Sequence, residues 1–156
     1  IVPTAVSDSS GLATFNSGPN SFQGSLTQQQ NYSTQMQVHT VTLDDFLKEG
    51  NPKPDFIKMD IEGGEGTALN GFSCFIKSCR PFFAINLHSP EQDLKVGKFF
   101  KENGYIAYRL KNHSNNNSRK LLAKIRYLEK SWPDPDGIWG TVVGIPRESG
   151  YSENLC

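Results

Sequence analysis

The chain has no long apolar run, few cysteines and no excess of either charge, and each absence excludes a class of function. No stretch approaches the roughly 20 apolar residues of a membrane span. Nothing at the start resembles a signal peptide. Cys74, Cys79 and Cys156 form an odd set without metal-ligand spacing. Reduced thiols in a cytoplasmic protein are therefore expected, not a disulfide framework. Sixteen basic residues balance sixteen acidic ones, for a formal net charge of zero. Basic residues cluster only in Arg119–Lys130, which reads as the face of an amphipathic helix. With no basic stripe there is no electrostatic reason to expect a nucleic-acid partner. The first residue is Ile rather than Met, so the expectation is a fragment, a processed form or an incomplete gene model.

What the chain does have is a globular composition: 156 residues, 36% hydrophobic, with 10 Phe. That fits one domain with a buried core. Ile1–Ser7 reads as a short strand and Leu12–Phe15 as another. Ser17–Gln37 is a polar Gly/Ser/Gln excursion, of a length unusual in a compact domain unless it covers a site. Val38–Thr42 reads as a strand feeding a helix. Thr42 and Asp45 fit a capping box, with Leu43, Phe46 and Leu47 on the buried face. Asp44 and Asp45 are accordingly assigned to capping and dipole compensation.

From Asp55 the pattern becomes regular. Strand Phe56–Ile61 is followed by a helix from about Glu65 to Lys77, then by strand Phe82–Leu87. Ser89, Pro90 and Gln92 form a helix start with Ser as N-cap and Gln completing the box. Val96, Phe99 and Phe100 make that helix's apolar side, and Gly104 ends it. Tyr105–Leu110 is the next strand. Such βαβαβ spacing predicts right-handed crossovers and parallel pairing. Lys120–Lys130 reads as helical, Trp132–Gly137 as a turn, and Thr141–Ile145 as a last strand stopped by Pro146.

The richest stretch is Pro54–Glu65, PDFIKMDIEGGE. Strand alternation places Lys58, Asp60 and Glu62 on one side. Three ionisable groups on an apolar strand must pair or reach a cleft. A strand ending in acid, a glycine turn and a helix start is a ligand-site layout of α/β proteins. Asp60 and Glu62 close one strand, Asn86 and His88 the next, while Phe83, Ile85 and Leu87 face the apolar layer. In parallel neighbours these four polar residues meet at one crevice. The plainer alternative pairs Lys58 with Asp60 or Glu65 and uses His88 as a helix cap. Glu65 at a helix start has an equally plain role with the dipole.

These motifs resemble the FkbM family of methyltransferases, in the C-terminal part of the domain. The matching residues are Thr42, Leu43, Asp44 and Asp45; Lys58, Asp60, Glu62, Gly63 and Glu65; Arg80, Pro81 and His88. The N-terminal AVSDSSGLATF resembles the family's Ala-Val-x-Asp-x-x-Gly element. The resemblance implies an α/β Rossmann-like methyltransferase fold: a mostly parallel sheet with an antiparallel end and helices on both faces. It implies S-adenosylmethionine as donor and O-methylation of a hydroxyl on a small molecule or sugar. Asp8 and Asp60 fall where such folds contact the donor. Glu62 and Asn86 face the acceptor, and His88 is the candidate base, oriented by Glu62 with Asp60 beside the methyl. Asn86 stands where the family often has a carboxylate. The G-x-G-x-x-G loop and the acid-bearing strand after it are absent. Residues 1–156 are therefore expected to form a single partial methyltransferase domain, lacking the first two strands and the N-terminal cofactor-binding half. Two other readings stay open: a divalent-metal, hydrolase-like site of Asp60, Glu62, Asn86 and His88, and a non-catalytic remnant or binding module.

Overall fold

The computed structural model describes residues 1–18, 24–27, 34–110, 122–124 and 140–150. β1 (Ala5–Val6), β2 (Gly11–Ser17), β3 (Gly24–Ser25) and β4 (Thr34–Val41) form one sheet, in spatial order β1-β4-β2-β3. β5 (Phe56–Met59), β6 (Phe82–Leu87), β7 (Tyr105–Leu110), β8 (Leu122–Lys124) and β9 (Gly140–Pro146) form a second, in order β5-β6-β9-β7-β8. The helices are α1 (Leu43–Lys48), α2 (Glu65–Asn70), α3 (Ile76–Cys79) and α4 (Pro90–Glu102). The class is α/β, as expected, but the pairing is not mostly parallel. Among the described residues β1–β4 and β5–β6 pair parallel, and the other five pairings are antiparallel. The reason is twofold: β2 and β4 make a hairpin, and β9 inserts between β6 and β7, opposed to both. β5, β6 and β7 consequently share one direction without β6 touching β7.

Alternation in β6 buries Phe83, Ile85 and Leu87, which join helix residues Ala68, Leu69, Ile76, Val96 and Phe100, and Phe72 between α2 and α3, in the main core. A smaller cluster of Ile106, Tyr108 and Ile145, flanked by Phe82 and Val143, covers the other face. No helix residue belongs to it among the described residues, so the expected cover of helices on both faces is not seen there. No helix among the described residues is long and apolar enough to cross a membrane. Cys74 and Cys79 are free thiols, and Cys156 lies outside the described residues.

Several local expectations shift. The single helix expected over Glu65–Lys77 is two, α2 and α3. The cause is Asp44, a buried carboxylate that accepts from the N–H groups of Ser73 (2.9 Å), Cys74 (2.8 Å) and Phe75 (2.9 Å). Those donors are withdrawn from a continuous helix. Asp44 thus caps the turn before α3 rather than its own helix, whose N-cap is Thr42, accepting from Asp45 N over 2.9 Å. Gly71 sits at the break, where a Cβ would stand 2.4 Å from the Ser7 carbonyl oxygen. Only glycine lets the end of α2 come this close to the first sheet.

Ser89 caps α4 as expected, accepting from Gln92 N over 3.3 Å. Gln92 does not close the capping box, because its Oε1 accepts from Gly66 N over 2.8 Å and ties α4 to α2. Arg80 ends α3 in the left-handed conformation, φ 50°. Its guanidinium lies over the Tyr105 ring and pairs with Glu148. The strand expected from Val38 begins earlier, at Thr34, because Gln35 and Gln37 pair across the hairpin with Asn16 and Thr14. The helix expected over Lys120–Lys130 is not formed at residues 122–124, which pair with β7 as β8. The rest of that segment, and the turn at Trp132–Gly137, lie outside the described residues.

Candidate functional site

β5 and β6 are in register with Lys58 opposite Ala84 and Met59 opposite Ile85. Asp60, one residue past β5, comes level with Asn86. The Asn86 amide donates to Asp60 Oδ2 over 2.7 Å. Asn86 is held in turn from β9, its register partner Thr141 donating to Oδ1 over 2.6 Å. Three strands therefore fix one carboxylate. Lys58 Nζ also reaches Asp60 Oδ2, at 3.2 Å.

Strand alternation does not account for Glu62. β5 stops at Met59, and Glu62 takes a left-handed backbone, φ 53°, followed by Gly63 at φ 93°. For a residue with a Cβ this conformation costs about 1–2 kcal/mol. The turn is held from two sides. Glu65, fully buried at the start of α2, accepts through Oε1 from Ile61 N (3.4 Å) and Gly63 N (3.2 Å). Ser25 Oγ donates to the Glu62 carbonyl over 2.8 Å. Glu62 is thus turned toward His88 by the loop and not by a strand face.

His88 follows β6 and is almost covered, its side chain 12% exposed. Nε2 lies 2.9 Å from Asp60 Oδ1 and 3.7 Å from Glu65 Oε1, while Nδ1 lies 3.5 Å from Glu62 Oε2. The plainer role, capping α4, belongs to Ser89 instead. Desolvation is the largest influence on Asp60 and pushes its pKa up. The hydrogen bonds and positive charge from His88 and Lys58 outweigh it, holding the carboxyl below its ordinary value. An ionised carboxylate 2.9 Å from Nε2 fixes the orientation of the imidazole ring. The arrangement can accept a proton and stabilise the resulting charge. Asp60, Glu62 and His88 also each offer one ligand atom, all within 4.8 Å of one another.

A cavity of about 470 Å³ opens beside the cluster. Asp60, Ile61, Gly64 and Thr67 line one side, Ala5, Val6, Ser7, Phe15 and Ser25 the other. A larger cavity, about 710 Å³, lies by His39, Asp45, Phe46 and Lys48 and touches none of the expected site residues.

The structure therefore brings Asp60, Glu62, Asn86 and His88 together. Asp8 stands apart: it is exposed, 3.4 Å from the hydroxyls of Ser7 and Ser9, and meets the cavity only through its neighbour Ser7. Sequence reasoning missed Thr141 and Ser25. Thr141 becomes visible only once β9 is known to lie beside β6, and Ser25 sits in a polar stretch without periodicity.

A family model described as the Methyltransferase FkbM domain matches residues 1–107. That span includes Asp8, Asp60, Glu62, Asn86 and His88. Searches of curated proteins and of solved structures found no match.

Proposed function

Because the chain belongs to the FkbM methyltransferase family, we propose that its Asp60–Glu62–His88 cluster is the acceptor side of a methyl transfer from S-adenosylmethionine to a hydroxyl. The observation that carries this reading is the 2.9 Å contact of His88 Nε2 with Asp60, itself braced by Asn86. When bound, the donor supplies an electrophilic methyl on a sulfonium. The chain's residues fit such a cation: Asp60 is held ionised beside a cavity of about 470 Å³, within the usual range of small-molecule sites, about 300–1,000 Å³. Asp60, which lines that cavity, would hold it; Asp8 does not line it.

Asp60 occupies Nε2 of His88, so Nδ1 is the nitrogen that takes the acceptor's proton as the oxygen attacks. Glu62, facing Nδ1 and partly exposed, orients the ring toward the acceptor hydroxyl. Asp60 then stabilises the imidazolium without taking the proton, as carboxylates do beside catalytic histidines. Asn86 keeps the acceptor side less negative than a second carboxylate would. A small molecule or sugar is the acceptor class we propose, and the cytoplasm the compartment.

The direction shared by β5, β6 and β7, with β9 reversed between them, supports a Rossmann-like methyltransferase sheet. β1 and β5 each have one strand partner among the described residues, which supports a partial domain whose remaining strands belong between them.

One observation favours a second reading. The ligand atoms of Asp60, Glu62 and His88 lie close enough to share a divalent cation, at the expense of the His88–Asp60 contact. Titration calorimetry with S-adenosylmethionine, Mn²⁺ and Mg²⁺ separates the two, with methyl-labelled donor and mass spectrometry to find the product. Donor binding and label transfer without added metal support the first reading. Metal binding with no affinity for the donor overturns it, and binding of neither leaves a non-catalytic module.

A further inference from the structure

Ser25 lies in the polar stretch between the first two long strands, yet it is 1% exposed. A buried hydroxyl needs partners, and its partners are specific. Thr27 N–H donates to Ser25 Oγ over 3.1 Å, and Thr27 Oγ1 lies 2.8 Å away. The backbone bond uses an acceptor lone pair and leaves the hydroxyl proton to point elsewhere. Its shortest carbonyl acceptor is that of Glu62, 2.8 Å away, with the Ile61 carbonyl at 3.5 Å; Thr27 Oγ1 reaches the same Glu62 carbonyl only at 3.4 Å. Asn16 steadies the clasp from below, its amide reaching the carbonyls of Ser25 and Thr27 at 3.4 Å each.

The carbonyl is an informative place to hold Glu62. Its direction follows from the backbone angles of Glu62 and Gly63, both left-handed. A donor that meets the carbonyl only in this orientation selects a conformation that a residue with a Cβ otherwise avoids. Relaxation to an ordinary right-handed or extended backbone would swing the side chain off His88. We infer that Ser25 is a positioning residue for Glu62, fixing the left-handed turn that sets its carboxylate 3.5 Å from His88 Nδ1. Its consequence for catalysis rests on the reading of Glu62 and His88 given above. The positional claim stands on the geometry alone.

The test uses the whole 156-residue chain. The nuclear Overhauser contact between the Glu62 methylenes and the His88 ring should be strong in the native protein. Ser25→Ala should weaken it severalfold while the His88–Asp60 proximity is kept and the protein stays folded, with a melting temperature lowered by the loss of a buried hydrogen bond. Should Ser25→Ala not fold, the isosteric Ser25→Cys, a weaker donor, should reduce the contact. A folded variant that keeps it at native strength overturns the inference. With an acceptor identified by label transfer, Ser25→Ala should lower kcat about 10–100-fold with the donor KM unchanged. It should add nothing in a Glu62→Gln background. Losses that multiply overturn the inference, because Ser25 would then act on the fold at large. Full turnover in Glu62→Gln alone instead removes Glu62 from the reaction and leaves the Overhauser result to decide the positional claim.

Discussion

Asn86 donates to Asp60 over 2.7 Å, so the carboxylate at the end of one strand is oriented by the strand beside it. The same Asn86 accepts from Thr141, and its amide cannot flip without losing both contacts. An amide in this place does what a carboxylate cannot: it offers a donor to Asp60 and an acceptor to Thr141 at once.

Asn86→Asp should therefore invert the local pH response. Two carboxylates at hydrogen-bond distance share a proton, and one of their titrations is pushed up. An acid whose folded pKa is raised loses its contribution to stability as pH rises through that value. The variant should melt closer to the native protein at pH 5 than at pH 8. The difference should be on the order of 1 kcal/mol, since Asp60 is partly open to solvent. Melting curves across this range decide it. An unchanged gap at both pH values contradicts the arrangement.

His88→Ala should lower turnover about 10²–10⁴-fold with little change in donor affinity. Ser89, not His88, caps α4, so α4 should be kept, while removing an almost covered ring from beside three carboxylates should lower the melting temperature modestly. Turnover and melting must be measured side by side. A variant that melts lower yet turns over normally would end the catalytic assignment.

Asp44 gives a prediction about acid stability. Burial is the largest influence on it and pushes its pKa up, but the N–H groups of Phe75, Cys74 and Ser73 together hold it below the ordinary value of 3.8. A depressed acid contributes stability fully above its unfolded pKa and loses it as pH falls through the folded one. Asp44 should therefore stabilise the protein fully above about pH 4 and progressively less below. Asp44→Asn, which loses the charge on its N–H partners, should cost about 1–3 kcal/mol at pH 7. Urea unfolding at pH 7 and pH 3 measures it: the gap between the two proteins should narrow at the lower pH.

How much was legible in the sequence depended on how far each residue's partner lay. Phe82–Leu87 and Pro90–Glu102 were readable because alternation and the Ser89 cap are local signals. The meeting of Asp60 with Asn86 and His88 followed from two strands of one pattern ending alike. The break between α2 and α3 was not readable, because the competitor for those N–H groups is Asp44, some thirty residues earlier in the chain. The start of β4 was hidden for a similar reason. Gln35 and Gln37 carry no apolar alternation and are paired by side-chain amides across the hairpin. The parallel sheet was expected because strand direction was judged from successive crossovers. β9, arriving last, takes the place between β6 and β7.

The contacts that define the cluster span long stretches of chain: 37 residues from Ser25 to Glu62, 28 from Asp60 to His88, 55 from Asn86 to Thr141. Contacts of such separation carry a loop-closure entropy that the local bonds of α4 do not. The cluster should accordingly form late: on refolding, helical signal should return before the His88 ring resonances reach their native positions.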